Sequence, residues 1–375
     1  MTDENPLRVL VVDDTVVYRK IVSDVLAGLP GIELVGTAYN GKSALSRIVN
    51  LRPDLLTLDI EMPEMNGLET LQQMQTVAPD VGAIMLSSLT VEGGEMTMRA
   101  LELGAFDFIP KPQEGSMEEN TRAVREALIP MLKAFARRRE IKSILKGKSQ
   151  GASGLQVPAV EQRIRTIPFR RTREKSDIVG IGVSTGGPNA LARMMPKIPA
   201  DIDVPILIVQ HMPPVFTQSL ARSLDAKCAI EVKEACDGEP IRANVAFIAP
   251  GGKQMKVAAG ADGRNRVLRI TDDPPENSCR PSVDFLFRSI AHHYVGRATG
   301  VIMTGMGSDG TLGLKLMKRN GAAIIAQDEE TCVVYGMPKA PIESGIVDSI
   351  TPLDRIAEEI CRTVGRPGAV ARLRS

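Results

Sequence analysis

In the second half of this chain a serine, a histidine and an aspartate each follow an apolar segment. Ser184 stands in I-V-G-I-G-V-S-T-G-G-P, His211 in P-I-L-I-V-Q-H-M-P-P, and Asp309 in V-I-M-T-G-M-G-S-D-G. A serine hydroxyl is a weak nucleophile until a base takes its proton, and an imidazole base needs an anion to fix its tautomer. These three residues supply each role once. The backbone amides of Thr185 and of the Met306–Gly307 loop are placed to stabilise an oxyanion. The first half of the chain carries a different set: Asp13, Asp14 and Asp59, with Ser87 and Lys111. Three carboxylates suit a hard divalent cation, Mg²⁺ above all, and a lysine and a hydroxyl beside them suit a phosphoryl group.

Plainer roles exist for each residue alone. Ser184 or a strand-end aspartate can cap a helix, Asp309 can initiate an S-D-G turn, and Lys111 can be a solvated loop charge. His292 and His293 read as structural, near a helix end where positive charge suits the dipole. G-I-G-V-S-T-G also has the look of a dinucleotide fingerprint. However, Thr185 stands where the third glycine belongs, and Asp201 and Asp203 precede the second strand.

The elements that must position these groups alternate. In the first half strands are expected at 8–12, 33–37, 55–58, 83–87 and 107–109. Helices are expected at 15–26, 42–50, 67–77, 96–103 and 118–137. In the second half strands are expected at 178–183, 206–210, 245–248, 300–304 and 323–326, with an antiparallel excursion at 255–257 and 267–270. Helices there fall at 189–195, 216–224, 282–292, 312–319 and 353–363. Repeated βα units imply an α/β chain of two doubly wound, parallel-sheet domains, 7–132 and 177–365. Sites in such sheets lie at the carboxyl ends of strands, where the chemistry-bearing residues sit. Adjacent parallel strands are about 5 Å apart, so Ser184 and His211 can meet although 27 residues separate them.

Residues 133–176 form the linker. From 140 to 176 nine Lys or Arg face three Glu, against a formal net charge of +1 for all 375 residues. Such a stretch reads as a flexible basic tether, or as a docking arm for an acidic partner or nucleic acid. The whole is 43% hydrophobic and 24% charged, with aromatics at 3% and no Trp. That composition argues against bulk nucleic-acid affinity and against base-stacking platforms. No apolar run approaches the roughly 18 residues of a membrane helix, and M-T-D-E-N-P lacks signal-peptide character. Five scattered cysteines without C-x-x-C pairs read as reduced thiols in a cytoplasmic protein, neither a disulfide framework nor a zinc site.

Residues 7–132 resemble a response-regulator receiver domain through V-V-D-D (11–14), L-D-I-E-M-P-E-M-N-G (58–67), M-L-S-S (85–88) and F-I-P-K-P (108–112). The resemblance implies a flavodoxin-like strand order 2-1-3-4-5. It further implies phosphoryl transfer from a histidine kinase to Asp59, with Mg²⁺ on Asp13, Asp14 and Asp59. Ser87 and Lys111 would contact the phosphoryl group, and Phe108 would be the aromatic switch. Ser and Phe replace the Thr and Tyr of many relatives at 87 and 108.

Residues 178–363 resemble the catalytic domain of the CheB protein-glutamate methylesterase family. The matching segments are G-V-S-T-G-G-P, Q-H-M-P-P-V-F-T, C-R-P-S-V-D-F-L-F, T-G-M-G-S-D-G and A-Q-D-E-E-T-C-V-V-Y-G-M-P, in order and spacing. That resemblance implies a Rossmann-like domain with Ser184 as nucleophile, His211 as base and Asp309 as orienting acid, Thr185 and Met306 lying beside the oxyanion site. The expected activity is phosphorylation-activated demethylation of glutamate methyl esters on methyl-accepting chemoreceptors, with glutamine deamidation implied for part of the family. No cofactor is expected for the esterase step, and neither nucleic-acid partner nor membrane insertion. Two rival classes are a phosphorylation-dependent binding module without catalysis and a nucleic-acid-binding regulator using the tether, although no helix-turn-helix follows the receiver.

Overall fold

A computed structural model describes residues 6–112, 115–150, 174–261, 263 and 265–365. The chain divides into two compact units, 1–151 and 152–375.

The first unit alternates strictly. Its elements are β1 (Leu7–Val12), α1 (Val16–Ala27), β2 (Ile32–Ala38), α2 (Gly41–Leu51), β3 (Leu55–Asp59), α3 (Gly67–Val77), β4 (Gly82–Ser87), α4 (Val91–Glu102), β5 (Asp107–Pro110) and α5 (Met117–Gln150). The parallel sheet runs β2-β1-β3-β4-β5, as the receiver resemblance implies. The central strand β3 is buried along its length and β1 nearly so, which is why both read as continuous apolar runs. Polar side chains cap α2 and α3. Asn40 accepts from the Ser43 amide, and Asn66 with Glu69 forms a reciprocal capping box that opens α3 behind Asp59.

The last helix was expected to end near 137, yet α5 continues to Gln150. Residues 138–146 contain Arg, Glu, Lys and Leu and neither Gly nor Pro, so local propensity extends the helix into sequence whose charge suggests a tether. The remainder of the expected tether, 151–173, lies outside the described residues.

The second unit contains β6 (Ile178–Val183), α6 (Gly187–Met194), β7 (Ile206–Gln210), α7 (Phe216–Asp225), β8 (Glu231–Glu234), β9 (Val245–Ile248), β10 (Gln254–Ala259), β11 (Arg266–Thr271), α8 (Val283–His293), β12 (Ala298–Ile302), α9 (Thr311–Arg319), β13 (Ala323–Gln327), α10 (Lys339–Glu343), β14 (Ser349–Thr351) and α11 (Ile356–Thr363). Its parallel sheet has the order β14-β13-β12-β6-β7-β9-β8, with β10 and β11 as a separate antiparallel hairpin. The edge strands β8 and β14 and the five-residue α10 escape the sequence reading, being too short to show periodicity. The strand expected at 300–304 sits two residues earlier, which frees Met303 and Thr304 for the loop after it.

From β6 the chain adds β7, places β8 at the edge and fills β9 in between, then returns to add β12, β13 and β14 on the other side. The topological switch therefore lies around β6, between β7 and β12. Gly180 and Gly182 of β6 serve packing. A Cβ at Gly180 would lie 2.7 Å from Ile290 Cδ1 and one at Gly182 2.4 Å from Val283 Cγ1, so both glycines let α8 lie close on the sheet. This gives the G-I-G segment a structural role in place of the nucleotide fingerprint. Phe287, Leu286 and Ile290 of α8 are fully buried in the core beneath. No helix among the described residues is long and apolar enough to cross a membrane.

Candidate active site

The register of β12-β6-β7 brings three loops to one sheet edge. Val183 pairs with Gln210, and the next residues on the two strands are Ser184 and His211. The His211 amide donates to Val183 O at 3.1 Å, and the Ser184 amide to Thr304 O at 3.0 Å. Ser184 thus stands between the end of β7 and the loop after β12. After it the chain turns sharply: Gly186 takes φ 74°, the Gly187 amide donates to Ser184 O at 2.7 Å, and α6 begins. Left-handed backbone at that point favours glycine. The loop after β12 comes close to the serine, since a Cβ on Gly305 would lie 2.8 Å from Ser184 Cβ.

Buried Gln210 fastens the edge. Its Nε2 donates to Ser184 O at 3.0 Å and to its neighbour His211 O at 3.1 Å. Sequence reasoning passed over this residue, because an amide before a histidine looks like an ordinary strand-end polar group.

His211 Nε2 lies 2.8 Å from Asp309 Oδ2. Asp309 is 3% exposed, so its charge has to be balanced locally. Its Oδ1 accepts from Asn277 Nδ2 (2.9 Å), Ser282 Oγ (2.9 Å), the Asp284 amide (3.1 Å) and the Gly310 amide (3.0 Å). Its Oδ2 also takes the Val283 amide at 2.7 Å. The carboxylate caps the first turn of α8, where unpaired amides and the helix dipole favour an anion. Burial alone would raise its pKa; the bonds from His211, Val283 and Asn277 overcome that and hold it down to about 2. For His211, burial disfavours the charged ring, but the bonds to Asp309 and Cys279 prevail and the pKa rises to about 9.

The second ring nitrogen of His211, Nδ1, faces Cys279 Sγ at 3.6 Å. Ser184 Oγ is hydrogen-bonded to neither ring nitrogen in this structure. Catalytic hydrogen bonds of that kind are often open in unliganded enzymes and close with substrate. Thr185 and Met306 lie on the two loops beside Ser184, and among the described residues their backbone amides donate to no protein acceptor. His292 and His293 occupy the last turn of α8, opposite the end that Asp309 caps.

The first unit gathers its own charges at the ends of β1, β3 and β5. Ligand oxygens of Asp13, Asp14 and Asp59 lie within 4.8 Å of one another. Lys111 Nζ lies 2.8 Å from Asp13 Oδ2 and 2.7 Å from Asp59 Oδ2. Burial, reinforced by Asp13, pushes Asp59 up to about 7 even though Lys111 opposes the rise. Burial lowers the Lys111 pKa, yet Asp59 and Asp13 outweigh it and hold the ammonium above its ordinary value. Tyr18, unremarked in the sequence, stacks under that ammonium at 4.9 Å and donates its hydroxyl to Pro112 O. Ser87 is buried and turned towards α4: its hydroxyl approaches Gly93 O at 3.2 Å and accepts from Thr97 at 2.6 Å. Phe108 lies buried in β5.

Residues 179–360 match the family model of the CheB methylesterase, and residues 9–122 match that of the response regulator receiver domain. A protein-glutamate methylesterase/protein-glutamine glutaminase of Desulfotalea psychrophila is 55% identical over 358 residues, 96% of this chain and 98% of the relative. One of the same description from Bacillus subtilis is 42% identical over 370 residues, 96% of this chain and 98% of its own length. Among solved structures, the Thermotoga maritima CheB methylesterase catalytic domain is 41% identical. It covers 50% of this chain and 99% of that one, with a TM-score of 0.49.

Proposed function

The chain belongs to the CheB family of protein-glutamate methylesterases with a receiver domain, and on that premise we propose that Ser184, His211 and Asp309 perform its hydrolysis. The protein is a carboxylic ester hydrolase of chemotaxis whose activity is regulated through phosphorylation. The observation that carries the residue assignment is the 2.8 Å bond from His211 to Asp309, one register step from Ser184.

Because Nε2 donates to Asp309, the lone pair of neutral His211 resides on Nδ1. Nδ1 takes the Ser184 proton as Oγ attacks the side-chain carbonyl carbon of a methylated receptor glutamate. The amides of Thr185 and Met306 receive the oxyanion. Asp309, fixed by five further donors, stabilises the imidazolium without itself taking the proton. Nδ1–H then protonates the departing methoxide, methanol leaves, and water attacks the acyl-serine with His211 again as base, freeing the glutamate. The same steps release ammonia from a glutamine side chain, consistent with the second activity in the relatives' description.

The first unit, 7–132, is read as the phosphoryl acceptor, 177–365 as the catalytic unit, and 133–176 as their connection, beginning with the end of α5. Asp59 is the acceptor for a histidine-kinase phosphoryl group. Asp13, Asp14 and Asp59 would hold Mg²⁺. The fit rests on buried Asp13 Oδ2 and Asp59 Oδ2, which lack a hydrogen-bond partner apart from their ion pairs with Lys111, and on an all-carboxylate donor set that suits a hard cation. When bound, the cation neutralises charge on the phosphoryl group. Lys111 then pairs with that group, and Ser87 meets it once its hydroxyl leaves Thr97 and Gly93. Methyl-accepting receptors are the substrate, and the cytoplasm is the compartment we assign.

Methanol release from methylated receptor membranes, with and without a small-molecule phosphodonor and Mg²⁺, tests the reading. Release that rises with the phosphodonor and vanishes in Ser184→Ala supports it. Release retained by Ser184→Ala overturns the nucleophile assignment.

A further inference from the structure

His211 and Cys279 line one surface cleft of about 330 Å³, with Pro213, Pro214 and Pro281 on its walls. The thiol is held in place by a tight turn. Glu276 and Cys279 exchange both backbone hydrogen bonds, at 3.1 and 2.8 Å, across Asn277 and Ser278, whose φ values are 52° and 61°. The Asn277 side chain anchors that turn to Asp284 and Asp309, at 3.0 and 2.9 Å. Cys279 Sγ and His211 Nδ1 are therefore positioned by separate elements at a set separation of 3.6 Å.

That separation is the one a metal ion requires. With Zn–S about 2.3 Å and Zn–N about 2.0–2.1 Å, a tetrahedral angle puts sulfur and nitrogen about 3.6 Å apart. The outer partner is present too. A metal-bound histidine characteristically donates its other ring N–H to a carboxylate, and here Nε2 lies 2.8 Å from Asp309 Oδ2. Among the described residues, His211, Cys279 and Asp309 form one of two groups whose ligand atoms lie within 4.8 Å of one another; the other is Asp13, Asp14 and Asp59. The two differ in chemistry. The carboxylate set favours a hard cation, whereas thiolate and imidazole favour zinc.

We propose that Cys279 Sγ and His211 Nδ1 form an inhibitory site for zinc, with Asp309 as the outer carboxylate and water in the two remaining positions. On binding, Cys279 loses its thiol proton to solvent and the Nδ1 lone pair is spent on the metal, so His211 cannot deprotonate Ser184. Binding rests on the Cys279–His211 geometry alone; inhibition rests on His211 being the base, as read above.

The test uses the full chain in excess Mg²⁺, which occupies the carboxylate set. Titration with Co²⁺ reports thiolate ligation as a sulfur-to-cobalt charge-transfer band. The expected result is a band in the wild type that is lost in Cys279→Ser and Cys279→Ala. Methanol release by the wild type falls roughly tenfold when zinc is at ten times its Kd, and a zinc chelator restores it. Each Cys279 variant, compared with its own zinc-free rate, loses that response. A wild type without the band overturns the site whether or not either variant folds. Zinc inhibition of equal depth in the variants overturns it as well, and a band without inhibition overturns the regulatory role. Activity in Ser184→Ala would count against the catalytic assignment while leaving the cobalt band intact, so the two failures are distinguishable.

Discussion

Asp309 Oδ2 holds His211 through Nε2 at 2.8 Å, which leaves Nδ1 as the nitrogen that the proposed mechanism assigns to Ser184. The same carboxylate caps the first turn of α8, so the ring's tautomer and the helix start are fixed by one group.

This pairing sets the pH profile. The proposed mechanism needs neutral His211, and the ring is held up to about 9, so the neutral fraction and the rate of methanol release should climb as pH rises through that value. In Asp309→Asn the main raising partner is gone and burial acts in the opposite direction, so the inflection moves to lower pH. The amide also weakens control of the tautomer, and kcat drops by about 10³- to 10⁴-fold. Profiles of both proteins, measured on the same receptor membranes, check the direction of the shift.

Gly305 has no room for a side chain on the serine's flank. A Cβ there would meet Met337 Sδ at 2.3 Å and Ser184 Cβ at 2.8 Å. The methionine can swing away, but Ser184 is tied to β7 and to the loop after β12. Gly305→Ala should therefore displace nucleophile and Met306 amide together, lowering kcat by about 10²-fold with the fold retained. Kinetics alongside a thermal melt separate displacement from unfolding.

Gln210 is 2% exposed and bonds two carbonyls at the site edge. Gln210→Leu removes both bonds and strands His211 O, while Ser184 O keeps the Gly187 amide, which should destabilise the second unit by about 1–3 kcal/mol. Urea unfolding with an unchanged slope and a lower midpoint is the expected outcome. A parallel fall in kcat would reflect the loosened β6–β7 edge.

Lys111 is the cation between buried Asp13 and Asp59. Lys111→Met leaves those carboxylates unbalanced and should destabilise the first unit by about 3 kcal/mol at neutral pH without Mg²⁺. Added Mg²⁺ should raise the melting temperature of Lys111→Met more than that of the wild type, since the cation then replaces the missing charge. Equal shifts would show that the carboxylates do not share the metal.

Much of the fold was legible because buried parallel strands read as apolar runs that alternate with longer helical patterns. The elements lost were β8, β14 and α10, all five residues or fewer, where no period can develop. The end of α5 was misplaced for a different reason: helix propensity and tether-like charge coexist in the same residues, and composition alone does not rank them.

The residue types at the strand ends are readable from local sequence: Ser184, His211 and Asp309 in one unit, Asp13, Asp59 and Lys111 in the other. Those positions follow from local grammar, an apolar strand running into a polar turn. Folding had to settle which nitrogen of His211 faces Asp309, that Gln210 links the ends of β6 and β7, and that Cys279 stands at Nδ1. Each of these joins residues far apart in the chain, 68 positions in the case of Cys279 and His211. Such contacts depend on sheet register and on where α8 begins, and neither is written in the residues that make the contact.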